Sequence, residues 1–310
     1  MEKMEIRSAV VNGPLGTVGM ALVKNLLEKG IDTWAVCYPG DSRIQNLPAG
    51  TRIIECDMRE IQRLSETVAR ADAFFHLAWM GTIGPGRNDT EIQTENIRCA
   101  VEAAKIAKKL DCKVFVGVGS QAEHGRIEGK VTADAPCFPT TGYGIAKLCA
   151  GQLTRLECSQ LGIRHVWARI LSAYGPGDGP LSVIPSMLDK LLKGEKPPLT
   201  KGEQLWDFCF SGDVAEALYC MAVSGKDGKI YPVGSGKVRP LREYFEIVRD
   251  AVDPKLSLGI GELPYIENQV MHLQADLTSL TADTGFQPKV SFDEGIRITL
   301  QAYRAQVNQF

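Results

Sequence analysis

The sequence predicts a doubly wound α/β fold, a parallel sheet with helices on both faces, followed by a smaller C-terminal α/β lobe. Three observations carry this. Short apolar runs alternate with helix-spaced segments over roughly the first 160 residues, the signature of βαβ units. A glycine-rich turn, Asn12 to Gly19, lies between the first strand and the first helix. After about Gly175 the alternation gives way to turn-rich pieces such as Tyr174–Pro180 and Lys196–Pro198.

The elements follow in order. Ile6–Val11 reads as a buried strand and Met20–Lys29 as a helix, with Leu22, Val23, Leu26 and Leu27 at helical spacing and Gly30 closing it. Thr33–Val36, Arg52–Glu55, Ala73–Leu77 and Lys113–Val118 are the next strands. Helical spacing runs over Met58–Arg70, Glu91–Leu110 and Thr141–Gln160, the second with a small-residue face of Asn96, Ala100, Ala103, Ala104 and Ala107. Shorter helices are expected at Ile184–Leu192 and Leu241–Ala251. The expected division is residues 1–172 for the sheet domain and 173–310 for the second lobe, with a return to the sheet around 206–235.

The 310 residues are 44% hydrophobic and 23% charged, ordinary globular composition. Lys plus Arg number 35 against 37 Asp plus Glu, so no basic surface argues for nucleic acid. No apolar run approaches the length of a membrane span, and the N-terminus carries no signal-peptide core. Nine cysteines form no CxxC pair, which suits reduced thiols in a cytoplasmic protein. His76, His124, His165 and His272 show no metal-ligand spacing, so no metal site is expected.

Gly13, Gly16 and Gly19 lie between a strand and a helix. Glycines there permit a tight turn and let backbone amides approach a pyrophosphate, whose charge a helix N-terminus favours. A Gly-rich turn alone connects many strands and helices; within this alternation it reads as a dinucleotide site. An NAD site places a carboxylate at the end of the second strand. Here that stretch is Val36–Arg43, where Asp41 comes late and Arg43 could meet a 2′-phosphate. NADP(H) is therefore favoured over NAD(H).

Tyr143 and Lys147 stand one turn apart on one helix face. A neighbouring ammonium lowers a phenol's pKa and fits it to exchange a proton with a substrate hydroxyl. Ser120 follows the fifth strand at the edge where open α/β sheets bind ligands. YxxxK also occurs by chance on surface helices, and a Ser after a strand is often a turn former. In this order, however, the three make a coherent set.

With these motifs the chain resembles the extended short-chain dehydrogenase/reductase family of nucleotide-sugar epimerases, dehydratases and ketoreductases, nearly end to end. The glycine loop matches at Gly13, Leu15, Gly16, Thr17 and Gly19; Asp57 and Met58 resemble the adenine contact; Phe75–Trp79, with Leu77, Ala78 and Trp79, resembles the strand under the cofactor; and Asn96 matches the Asn of the following helix. Ser120, Tyr143 and Lys147 fall on the family's catalytic residues, and Arg169–Pro176 on the segment bordering nicotinamide and substrate. Trp206–Asp213 is similar to the Arg-Asp-Phe…Asp motif, with Trp206 in place of the Arg. The 4,6-dehydratases carry an Asp-Glu pair after the catalytic hydroxyl residue; here those positions are Gln121 and Ala122.

The resemblance implies a Rossmann domain and NAD(P)-dependent hydride transfer at C4 of a nucleotide-diphosphate sugar, by a 4-epimerase or a 4-ketoreductase. Motif details are closest to CDP-abequose synthase-like ketoreductases. It implies Trp79, Gln121, Ala122 and Tyr174 as substrate contacts and a homodimer formed by the Glu91–Leu110 and Thr141–Gln160 helices. The alternative is a non-catalytic dinucleotide sensor on the same fold.

Overall fold

The computed structural model describes residues 4–267 and 269–307. Seven parallel strands form its central sheet: β1 (Ser8–Asn12), β2 (Asp32–Cys37), β3 (Arg52–Glu55), β4 (Ala73–His76), β5 (Val114–Ser120), β6 (Arg164–Ile170) and β7 (Lys229–Val233). Their order is β7-β6-β5-β4-β1-β2-β3. Strand order reverses between β1 and β4, and such a switch point opens a crevice at the carboxyl ends of the strands.

The middle strands β1, β4 and β5 read as largely apolar runs because both faces are covered. On one face Val11, Phe75 and Val116 pack with α1 (Thr17–Glu28) and α5 (Ser211–Ser224). On the other, Val10, Phe74 and Phe115 pack with α2 (Thr90–Lys109). α3 (Gly142–Leu161) lies beside α2. Phe74, Phe75 and Phe115 have no exposed surface, and burying each such ring contributes roughly 1.5–3 kcal/mol.

Two expectations change. The helix expected over Met58–Arg70 is a 3-10 segment, Met58–Glu66, broken at Glu60. Its buried residues are Met58, Ile61 and Leu64, a spacing of three that suits 3-10 turns. β6 is a full central strand that the apolar pattern did not reveal, since Arg164, His165 and Arg169 interrupt it. Two of these are buried all the same, because each has partners: His165 takes Thr154 and Arg169 takes Glu123.

The small-residue face of α2 is turned inward, with Asn96, Ala100, Ala103, Ala104 and Ala107 all fully buried within the chain. Packing inside one subunit therefore accounts for it. In the C-terminal lobe, α4 (Val183–Leu192), α6 (Leu241–Val252) and α7 (Phe292–Val307) pack around Tyr174, with Phe245 and Phe292 in the same cluster. The short strands Gly129–Val131, His272–Ala275, Leu205–Trp206 and Arg239–Pro240 form a second sheet. Among the described residues no helix is long and apolar enough to cross a membrane.

Candidate active site

A cleft of about 520 Å³ opens at the switch point, lined by the glycine loop, the ends of β2 and β3 and the loop after β4. Gly13 has a φ of +88°, and a Cβ there would collide with the Ala78 backbone; one on Gly19 would strike the Gly13 carbonyl. Both are needed by the fold. Gly16 differs, since a Cβ there would meet nothing within 4 Å. It is the N-cap of α1 and supplies no side-chain cap, so the first-turn amides face the cleft mouth with a partial positive charge. The cleft's size, its open amides and the bare Gly16 fit a dinucleotide.

Leu15, Asp57, Met58, Leu77, Ala78 and Trp79 line this cleft, as do Asp41 and Arg43. Thr17 lines a separate groove with Met20 and Phe210. Asn96 is fully buried behind the wall; its amide donates to the Met80 carbonyl at 2.8 Å and accepts from the Met80 N–H at 2.9 Å. It shapes the cleft by clamping the loop after β4. Arg43 donates two hydrogen bonds to Asp41, at 3.0 and 2.6 Å, and that guanidinium holds the Asp41 carboxyl below the usual carboxylate range. Arg43 is thus not the free cation that the preference for NADP(H) assumed.

The structure brings Ser120, Tyr143 and Lys147 together. Ser120 ends β5 and caps the 3-10 turn Gln121–His124, its hydroxyl accepting from the Ala122 N–H at 3.2 Å. Tyr143 and Lys147 lie in the first two turns of α3, which the Thr141 hydroxyl caps by accepting from the Gly144 N–H. Lys147 donates to the Val118 carbonyl at 2.7 Å, and its ammonium stands 3.8 Å from the centre of the Trp79 ring. Trp79 meets the Tyr143 ring edge-on at 6.2 Å and donates to Gln93 at 2.9 Å.

Burial pushes the Lys147 ammonium down to about 7, against the nearby Glu123 charge. The Tyr143 phenol is raised, first by burial, while a hydrogen bond with Ser120 and the Arg87 guanidinium oppose the rise. Lys147 is not among the groups that lower this phenol here. Its ammonium is spent on Val118 and Trp79, 5.9 Å from the Tyr143 ring centre. Arg87 covers that ring at 4.4 Å.

Trp79, on the wall of the first cleft, contacts both Tyr143 and Lys147. Ser120 pairs with Ile170, after which Leu171–Tyr174 line a second cleft of about 630 Å³ in the C-terminal lobe. Tyr174 is buried there with its hydroxyl donating to the Phe292 carbonyl. Gln121 is half-buried and Ala122 buried in the turn after Ser120. Trp206 lines the second cleft and donates to Ser172 at 2.8 Å. His124 is buried with Nδ1 on the Pro136 carbonyl. Among the described residues no cluster could hold a metal.

Sequence reasoning missed Glu123 and Arg87. Glu123 accepts from the Ser120 N–H at 2.8 Å and Trp167 Nε1 at 3.0 Å, and pairs with Arg169 at 2.7 Å. Its signal was present as the Ser-x-x-Glu capping box at 120–123. Nothing in the sequence marks Arg87.

A cleft at the switch point of a seven-stranded parallel sheet, floored by a glycine loop, defines a Rossmann-type α/β protein. Residues 9–234 match the model of the NAD dependent epimerase/dehydratase family, and the chain belongs to that family. It is similar to a low-salt glycan biosynthesis protein of Haloferax volcanii, 24% identical over 95% of this chain and 97% of the relative. It is also similar to a dTDP-glucose 4,6-dehydratase of Neisseria meningitidis, 23% identical over 96% of this chain and 93% of the relative. Among solved structures, the UDP-glucose 4-epimerase of Thermotoga maritima with UDP-glucose superposes with a TM-score of 0.86 at 21% identity, covering 97% of this chain and 99% of that one.

Proposed function

We propose that this protein catalyses NAD(P)-dependent oxidoreduction at C4 of a nucleotide-diphosphate sugar, as a 4-epimerase or 4-ketoreductase. The observation that carries the reading is the meeting of Ser120, Tyr143 and Lys147 next to Trp79 on the wall of the first cleft. Residues 1–172 would hold the dinucleotide and 173–310 most of the sugar nucleotide. The names of the relatives, a 4,6-dehydratase and a UDP-glucose 4-epimerase, support that substrate class.

The glycine loop and the α1 N-terminus would hold the pyrophosphate, with Asp57 and Met58 beside the adenine. The chemistry such a dinucleotide supplies is hydride transfer. Tyr143 would exchange a proton with the reacting oxygen, giving it to the carbonyl on reduction and taking it from the hydroxyl on oxidation. Ser120 donates to the same oxygen and stabilises charge developing there. Lys147 would lie against the nicotinamide ribose. Gln121, Ala122 and Trp79 would border the sugar.

Elimination of water as in the 4,6-dehydratases finds no support in this chain. Gln121 and Ala122 replace the acid pair, and the neighbouring Glu123 is buried against Arg169. For the cofactor, Asp41 already neutralises Arg43 on the wall of the dinucleotide cleft. A 2′-phosphate would meet both charges, which favours NAD(H) over NADP(H). A homodimer through α3 is supported by its exposed Ile145, Leu153 and Leu156, a row at helical spacing.

The test is to denature the purified protein and identify any released dinucleotide by mass spectrometry, then assay UDP-, dTDP- and CDP-hexoses with NADH and NADPH. Retained NAD(H) supports an epimerase cycle. A protein that binds neither dinucleotide contradicts the proposal.

A further inference from the structure

Trp167 is fully buried near the middle of β6, with its ring between the sheet and α3. Three glycines make its room. Gly117 pairs with Trp167 across the β5–β6 ladder, and a Cβ there would run into the six-membered part of the indole. Two residues on, a Cβ at Gly119 would strike both the indole nitrogen and the Glu123 carboxylate. From above, a Cβ at Gly151 of α3 would lie 2.8 Å from Trp167 Cε2. The indole therefore touches backbone on strand and helix alike.

Its position is also fixed at the edge. Trp167 Nε1 donates to Glu123 Oε1 at 3.0 Å; the same oxygen accepts from the Ser120 N–H at 2.8 Å, and the other oxygen pairs with Arg169. Glu123 and Arg169 are both out of contact with water, so the pair is rigid and costly to break. Gly151 lies one turn beyond Lys147 and two beyond Tyr143, on the same face of α3. A change in the separation of α3 and β5 at Gly151 thus moves Tyr143 and Lys147 relative to Ser120.

We propose that Trp167, braced by Glu123, is the spacer that sets the height of α3 over β5 and so positions Tyr143 and Lys147 against Ser120. This rests on the reaction proposed above only for its catalytic meaning; the spacing itself can be measured without substrate. Trp167 and Glu123 are positioning residues, since neither lines the dinucleotide cleft.

The test is a pH titration of the Tyr143 phenol by NMR of carbon-13-labelled tyrosine, assigned by the signal lost in Tyr143→Phe. The phenol is faced by Ser120 from β5, Glu123 from the following turn, Arg87 from the 85–88 turn and Lys147 from its own helix; Gly151→Ala alters none of these, while Trp167→Phe removes the indole donor to Glu123. Gly151→Ala adds a methyl between helix and indole, and alanine favours helix. It should lift α3, weaken the Ser120 contact and raise the phenol's midpoint by about half a unit or more. Combining it with Trp167→Phe, which lets the smaller ring sink, should bring the midpoint back toward wild type.

A Gly151→Ala protein that titrates like wild type, whatever its melting temperature, overturns the spacer. So does a double variant that stays shifted. Should Gly151→Ala not fold, Trp167→Phe alone must shift the midpoint, and an unchanged titration overturns the proposal. If turnover is present, Gly151→Ala should lower kcat at least tenfold with KM within about twofold. Absent turnover in the wild type counts against the reaction, and the titration still decides the spacer.

Discussion

The Lys147 ammonium lies 3.8 Å from the centre of the Trp79 ring while donating to the Val118 carbonyl at 2.7 Å. This single side chain joins three elements: α3, the end of β5 and the loop after β4. That loop is held in turn by Asn96, whose amide is bonded in both directions to Met80. A cation over an aromatic face is stabilised by the ring quadrupole. Here it is also almost completely buried, and that burial makes Lys147 the most informative group to titrate.

Lys147 should make stability rise with pH. Its folded-state value of about 7 lies below the ordinary 10.5, so between those values the unfolded chain binds a proton that the folded chain does not. Stability therefore increases as pH rises through that window. From pH 7 to pH 9 the wild type should gain about 2 kcal/mol relative to Lys147→Met. Urea denaturation of both proteins at the two pH values checks this, and parallel curves would refute it. Buried thiols such as Cys112 and Cys158 are present in both proteins and cancel in the difference.

Tyr143→Phe should reduce turnover by about 10²–10⁴-fold, the usual contribution of a positioned acid or base, with dinucleotide affinity unchanged. Steady-state assay and fluorescence titration of the dinucleotide check this. A sensor without catalysis would lose nothing measurable on this substitution.

Two glycines of one loop should behave differently. Gly13→Ala forces a positive φ and a clash with the Ala78 backbone, so the protein should be strongly destabilised or unfolded. Gly16→Ala meets no protein atom and should change stability by no more than about 0.5 kcal/mol. It should nevertheless weaken dinucleotide binding at least tenfold, because its methyl occupies the approach to the α1 amides. Thermal melting together with calorimetric titration separates the two effects.

Asp41→Asn should shift cofactor preference. The substitution frees the Arg43 guanidinium from its paired carboxylate, so the NADPH/NADH affinity ratio should rise about tenfold. Binding titrations with both cofactors check the ratio; one that stays fixed would remove the Asp41–Arg43 pair from the specificity argument.

Much of this was legible in the chain because the relevant signals are local. The middle strands β1, β4 and β5 are largely apolar runs, and the edge strand Arg52–Glu55 was placed residue for residue. Gly13, Gly16, Gly19, Ser120, Tyr143 and Lys147 each sit at an element boundary or one turn apart, spacings that sequence displays directly. β6 stayed hidden because its charged and imidazole side chains are buried by partners far along the chain, Glu123 at 46 positions from Arg169. The charge state of the site was hidden for a related reason. The phenol's pKa depends on burial and on where the Lys147 ammonium points, and neither follows from the i, i+4 spacing. Arg43 misled because its partner Asp41 lies two residues away in a turn, a pairing that composition does not reveal.

The central claim is that hydride passes between a dinucleotide and C4 of a nucleotide sugar under Tyr143. It is tested most directly by incubating the protein and NAD+ with C4-deuterated UDP-, dTDP-, CDP- and GDP-hexoses and searching the dinucleotide for deuterium by mass spectrometry and the sugar for inversion at C4. The account predicts that at least one nucleotide sugar either loses its C4 deuterium to the dinucleotide, as in a ketoreductase run in reverse, or inverts at C4 with the deuterium retained, as in an epimerase, and that Tyr143→Phe does neither. A folded wild type that binds the dinucleotide and a sugar nucleotide yet does neither would contradict it.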